Sequence, residues 1–250
     1  MIHDIDLDHI AVAAERQTDL WPRYAGDLGG VWVAGGEDPG FASSQLRFAN
    51  GMKLETMHPG AGPRDFLRRF LAHSGPGPHH ITFKVADIEA AIAEAERAGY
   101  PPVSVDLSME MWKEAFLHPK QATGVVVQLA QSAGEWASPP PAELPAARGA
   151  TATLVHVAHA VRRLDDGLRL FRDLLGGTEL GRGTGDADDD IAFVDLGWRG
   201  PGRVRLLEMP EWLDDREGRV HHVAFAGPGL QSEEVAPEDN FGVRLRLQPS

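Results

Sequence analysis

Four short apolar strands, each bearing a histidine, recur along the chain. They are Leu7-Asp8-His9-Ile10-Ala11-Val12, His79-His80-Ile81-Thr82-Phe83-Lys84-Val85, Thr153-Leu154-Val155-His156-Val157-Ala158 and Val220-His221-His222-Val223-Ala224-Phe225. Recurrence of this kind implies copies of one supersecondary unit, stacked or paired because one copy cannot bury its own apolar face. In the first copy a helical stretch over 15–28 is stopped by Gly29-Gly30, and strands follow at 31–33, 44–48 and 52–57. Asn50-Gly51 between the last two is a strong hairpin signal. In the second copy Asp87 caps a helix over 88–98, with Ile88, Ala91, Ile92 and Ala95 on one stripe and Gly99 at its end. Strands follow at 103–107, 112–117 and 124–129, and a short helix over 66–71 joins the two copies. The unit is βαβββ, twice. A third copy begins with a strand, a helix over 164–175 and strands at 191–196 and 203–209. The fourth has no room for a helix, and after Gly227-Pro228-Gly229 only a strand over 242–247 is clear. The fold class is therefore α+β: tandem βαβββ modules forming paired half-barrel sheets with helices outside.

Residues 132–150 carry three consecutive prolines, Pro139 to Pro141. A strand or helix interior does not tolerate that run, so this is a stiff connector. It divides the chain into 1–131, a domain of two modules, and 151–250, a second domain that is degenerate and truncated.

The chemistry is bounded by what is missing. There are no cysteines, so disulfides, thiolate metal sites and a cysteine nucleophile are excluded. Lys and Arg number 24 against 37 Asp and Glu, a net charge of −13, which disfavours nucleic acid and anionic membranes as partners. No apolar run reaches the roughly 18 residues of a membrane span, and the N-terminus lacks signal-peptide form, so a cytoplasmic protein is expected. The halves can pair within one chain or between two, which leaves a homodimer open.

Strand alternation then collects the polar residues. Ile10 and Val12 share one face and His9 the other; Ile81, Phe83 and Val85 oppose His80, Thr82 and Lys84. In the closing strands Leu54 opposes Glu55, and Val125, Val127 and Leu129 oppose Gln128. Each sheet thus has an apolar face for its helix and a second face with one His and one acceptor. Pairing about a pseudo-twofold would gather His9, Glu55, His80 and Gln128. Two imidazoles, a carboxylate and an amide oxygen suit one divalent ion, Zn, Fe, Ni, Co or Mn. Taken singly, a strand histidine is more often a hydrogen-bonded core residue, and it is the matching repeat positions that weigh against that reading.

The order βαβββ-βαβββ, with Asp8-His9-Ile10 and His79-His80-Ile81 as openings, resembles the vicinal oxygen chelate superfamily of glyoxalase I, methylmalonyl-CoA epimerase, extradiol dioxygenases and bleomycin-resistance proteins. Ala115-Phe116-Leu117-His118-Pro119-Lys120 and Gly124-Val125-Val126-Val127-Gln128-Leu129 are most similar to the end of an epimerase. The resemblance implies metal ligands at His9, Glu55, His80 and Gln128. The epimerase pattern has Gln in the first closing strand and Glu in the second, and here the two are exchanged. A further acid/base carboxylate of the family lies before the third strand, which points to Glu37 or Asp38. In the second half His156 and His222 match, but the closing positions fall on Leu206, with Glu208 two residues on, and on Arg246. Glu208 is the one candidate for a replacement ligand there, and 151–250 is expected to bind no catalytic metal.

Three functions follow. The first is a metal-dependent epimerase, isomerase or glyoxalase-like lyase acting on a substrate with vicinal oxygens. It would abstract a proton through Glu55, Glu37 or Asp38 and stabilise an enediolate or enolate. The second is an Fe(II) extradiol-type dioxygenase using His9, Glu55 and His80. The third is a non-catalytic small-molecule binding protein.

Overall fold

The computed structural model describes all residues but 39, 63–65 and 187–188, and the side chains of Asp38, Asp186 and Asp189 also lie outside the described set. Two mixed sheets are present. The first has the order β2-β3-β4-β1-β5-β8-β7-β6, the second β10-β11-β12-β9-β13-β15-β14. The first module is β1 (Ile5–Ala13), β2 (Val31–Asp38), β3 (Phe41–Arg47) and β4 (Lys53–Pro59). The second is β5 (Gly77–Val85), helix α2 (Ile88–Arg97), β6 (Pro102–Asp106), β7 (Trp112–Leu117) and β8 (Val126–Ser132), and helix α1 (Phe66–Ser74) joins the two. The third is β9 (Thr153–Val161), helix α3 (Leu164–Leu168), β10 (Thr178–Asp186), β11 (Asp189–Gly197) and β12 (Arg203–Glu208). The fourth keeps β13 (Gly218–Ala226), the short β14 (Glu233–Val235) and β15 (Leu245–Gln248). The opening strand of each copy pairs in parallel with the closing one, and hairpins supply the antiparallel pairs. These are the repeated modules read from the sequence.

Local chemistry explains most elements. The Asp87 side chain accepts from the Ala90 backbone N–H at 3.0 Å, capping α2, and Gly99 leaves it at φ +86°. Gly51 takes φ +92° in the β3–β4 hairpin. Two helical stretches are shorter and wider than expected. Over 15–28 a 3-10 turn at Gln17–Asp19 precedes a π-type helix at Pro22–Asp27, because Pro22 interrupts the amide ladder. Over 164–175, α3 continues as a π-type helix at Arg169–Leu174. Thr178–Asp186, with three glycines, carries no periodic signal, and it becomes a strand by pairing along β11.

The chain forms two compact units from discontinuous segments. One holds Met1–Asp8, His80–Glu135 and His156–His221; the other holds His9–His79, Trp136–Val155 and His222–Ser250. In the first unit Phe83 packs against Phe171 and edge-on to Trp198, with centroids 6.4 and 5.1 Å apart. Gly124 (φ +79°) approaches Gly218 so closely that a Cβ there would lie 1.7 Å from the Gly218 carbonyl oxygen. The fully buried His159 ring lies beside this contact, its Nε2 2.8 Å from the Thr123 carbonyl oxygen. Burial pushes that imidazole's pKa down to about 4, against the pull of the Thr123 hydrogen bond.

In the second unit Phe225 packs on Tyr24 and Phe48, and Asn240 Nδ2 donates to the buried Tyr24 hydroxyl at 3.2 Å. The proline-rich stretch is pinned along this unit. Trp32 Nε1 donates to the Ser138 carbonyl at 2.9 Å, Gly35 N–H to the Ser138 hydroxyl at 2.9 Å, and Arg148 N–H to the Gly26 carbonyl at 2.8 Å.

Candidate functional site

The register of the parallel pairs fixes where each polar side chain stands. In the first module Ala11 pairs with Glu55, two places beyond His9. In the second, Thr82 pairs with Gln128, two places beyond His80. Both pairs occupy the same place in their copies, as the repeat required. His9, Glu55, His80 and Gln128 are all buried. His9 Nε2 lies 3.6 Å from Glu55 Oε2. One ligand atom each from His9, Glu55 and His80 falls within 4.8 Å of the others, and no other such cluster of three occurs among the described residues. Imidazole nitrogens and a carboxylate oxygen at that separation are the donors that a borderline divalent cation accepts.

The face carrying His9 and Glu55 is not open as alternation alone suggests. Ala11, Ala13 and Met57 share it and bury Leu67 and Leu71 of α1, with Phe41, Phe66 and Phe70 packed alongside. Phe66 and Phe70 also hold the His79 ring, at centroid distances of 5.8 and 4.8 Å. Burial drives the His79 pKa down to about 4, and the Glu55 carboxylate pulls the other way. A second helix, on the polar face, was not legible from the face pattern of the strands.

Gln128 belongs to a hydrogen-bonded chain. Thr82 Oγ1 donates to its Oε1 at 2.6 Å, and its Nε2 donates to Glu114 Oε2 at 2.7 Å. Trp112 Nε1 donates to the same Glu114 oxygen at 2.8 Å, and Lys84 Nζ stands 4.0 Å over the Trp112 ring while donating to Ser132 at 2.6 Å. Glu114 was not singled out in the sequence. The signal was there: alternation along β7 sets Trp112, Glu114 and Phe116 opposite the buried Ala115 and Leu117.

The other carboxylates fall elsewhere. Glu37 pairs across from Ala42, and Ala42 from His58, three residues beyond Glu55. Odd spacing on one strand means opposite faces, so Glu37 shares its face with His58 and not with Glu55. Burial lowers the His58 pKa and Glu37 partly offsets it. Asp38 ends β2, and its side chain lies outside the described residues.

In the second sheet the closing position of the third copy is Arg205, not Leu206. Arg205 pairs with Ala158, two places beyond His156, as Glu55 pairs with Ala11. Counting along the sequence missed by one residue, which in a strand exchanges the faces. Glu208 is on the face opposite Arg205 and accepts from the Leu164 backbone N–H at 2.8 Å, capping α3 instead of offering a ligand. Arg246 does take the corresponding place in the fourth copy, opposite Ala224.

Residues 8–116 match the family model described as the Glyoxalase/Bleomycin resistance protein/Dioxygenase superfamily. That stretch runs from β1 into β7 and is the region in which the opening strands resemble the vicinal oxygen chelate proteins. Among solved structures, a mutant of 4-hydroxymandelate synthase from Streptomyces coelicolor is 14% identical, with a TM-score of 0.65 over 88% of this chain and 70% of its own. That likeness is one of fold, and its extent takes in the second half of the chain. A hypothetical protein from Bacillus halodurans is 26% identical over 54% of this chain and 99% of its own, with a TM-score of 0.47. A Streptomyces coelicolor methylmalonyl-CoA epimerase in complex with 2-nitronate-propionyl-CoA is 25% identical over 52% of this chain and 98% of its own, with a TM-score of 0.45. No curated protein matches the chain. No helix among the described residues is long and apolar enough to cross a membrane.

Proposed function

We propose that the chain is a metal-dependent enzyme acting on a small substrate with vicinal oxygens. It would be an epimerase, isomerase or glyoxalase-like lyase that works by proton abstraction. The observation that carries this reading is the buried His9–Glu55–His80 cluster. Its donor set fits a divalent ion: two neutral imidazoles and one carboxylate, with the Gln128 amide as a fourth donor. An ion bound there supplies Lewis acidity to a substrate oxygen. The protein supplies the rest. His9 and His80 bind as neutral rings from adjacent strands of one sheet. The apolar cover of α1 over Ala11, Ala13 and Met57 excludes water from the His9–Glu55 face. We assign the proton transfer to Glu55 in preference to Glu37, which stands on the other face of its sheet.

A second reading rests on the same three residues. Two histidines and one carboxylate are also the donor set of a non-haem iron oxygenase. Metal analysis of the purified protein, followed by proton NMR in D2O with 2-oxo acids and acyl thioesters, tests the first reading. The expected result is one divalent ion per chain and loss of the α-proton signal, both absent in His80→Ala. Oxygen uptake with a catechol and no proton exchange would move the assignment to the dioxygenase. Bound metal with neither activity would leave a binding protein.

A further inference from the structure

We infer that Glu114 is a positioning residue that turns Gln128 into a metal ligand, an inference that rests on the metal reading above. A glutamine amide can sit either way round, and its neighbours decide which. Thr82, on one side, does not decide: a hydroxyl donates to an amide oxygen or accepts from an amide nitrogen equally well. Glu114, on the other side, does. A carboxylate only accepts, so the NH2 must face Glu114 and the carbonyl oxygen must face Thr82, as the 2.7 and 2.6 Å contacts show. Reversing the amide would set oxygen against oxygen. Thr82 stands on β5 two residues from His80 and on the same face. Glu114 therefore places the Gln128 oxygen on the side of the strand that carries His80. One lone pair of that oxygen takes the Thr82 proton and a second remains to coordinate.

Two further observations support the role. Trp112 Nε1 donates to the same Glu114 oxygen at 2.8 Å, which fixes the carboxylate on two donors. The first module shows the complementary arrangement. It offers a carboxylate directly at Glu55, and Ser43, paired with Met57, takes the place that Glu114, paired with Ala130, holds in the second module. The second module has a neutral amide at the ligand position and its carboxylate one residue further out. A carboxylate drawing on the amide N–H increases the negative charge on the amide oxygen and so its strength as a donor, as outer-shell carboxylates do for ligating histidines.

The test uses the full chain and Co2+ alone as probe. Wild type, Glu114→Gln, Glu114→Asp, Gln128→Ala and the double variant E114Q/Q128A are titrated by the visible absorption of Co2+ against a competing chelator. Glu114→Gln is expected to weaken Co2+ about tenfold or more and to shift the absorption band, with Glu114→Asp recovering most of the loss. The double variant should bind no more weakly than Gln128→Ala, because Glu114 acts through Gln128. Equal affinity of E114Q and wild type overturns the proposal. So does an E114Q loss that persists in full in the Q128A background, which marks a structural effect. If wild type binds no Co2+, the metal reading and the ligand role of Gln128 both fall. The Gln128 side-chain amide resonances of the metal-free protein separate the two failures: movement in E114Q keeps the orienting contact, and no movement removes that as well. Thermal unfolding of each metal-free variant checks that it is folded.

Discussion

Two places beyond its opening histidine, the first sheet carries Glu55 and Gln128, whereas the second carries Arg205 and Arg246. The backbone positions correspond, but a carboxylate and a neutral amide in the first sheet are both replaced by cations in the second. In the second sheet Arg205 makes a two-pronged contact with Asp195, at 2.7 and 2.8 Å, and lies 4.6 Å over the Phe193 ring. Arg246 stands 3.6 Å from Glu234, which also pairs with Arg244. The cations there are engaged by carboxylates of their own sheet. The comparison teaches that the repeated module sets only the places. One side chain per closing strand sets the charge at each place.

Exchanging those side chains breaks the comparison most directly. Glu55→Arg would set a positive charge beside the proposed ion. At about 4 Å and an effective dielectric near 20 that repulsion is about 4 kcal/mol per unit charge, so metal affinity should fall by roughly a thousandfold or more. Equilibrium dialysis checks it, and retained metal would remove Glu55 from the site. The reverse change, Arg205→Glu, should gain no metal, and it sets two carboxylates together where Arg205 and Asp195 are both partly exposed. Chemical denaturation should show a loss of about 1–3 kcal/mol, discounted for that exposure.

A second difference is His159, which opposes Leu206 as Val12 opposes Thr56. Its folded pKa, about 4, lies below the unfolded value of 6.5. Between the two the unfolded chain binds more protons, so stability rises with pH in that window and is lost as pH falls through it. The loss is on the order of 3 kcal/mol from His159. His79, depressed for the same reason, adds to the wild-type slope. His159→Val, which copies the first sheet, should flatten its share of the slope in denaturation curves at pH 4 to 6.5. An unchanged slope would show that His159 titrates as it does in the unfolded chain. The smallest effect is expected from Glu208→Ala: about 1 kcal/mol from the lost helix cap, and no change in metal content.

The modules and the register of the first sheet were legible because each depends on a local signal. His9 and Glu55, and His80 and Gln128, fall at matching places in strands with clear alternation. The third closing strand was misread because Val204-Arg205-Leu206-Leu207 is apolar on both sides of the arginine, and alternation does not settle its register. β10 was invisible because its conformation comes from its partner, and three glycines erase any pattern. Alternation along β7 marked the face of Glu114 but not its contact with Gln128, and α1 covers the His9–Glu55 face through tertiary packing that the strand pattern does not record. Alternation alone says which face a side chain takes, not what else covers that face.

The central claim is that one divalent ion is held by the first sheet and none by the second. Metal content per chain, measured by plasma emission on protein purified without added metal, tests it. The comparison runs across wild type, His9→Ala, His80→Ala, His156→Ala and His222→Ala. The account predicts one ion per chain in wild type, in His156→Ala and in His222→Ala, and close to none in His9→Ala and His80→Ala. Full metal content in His80→Ala, or its loss in His222→Ala, would contradict it.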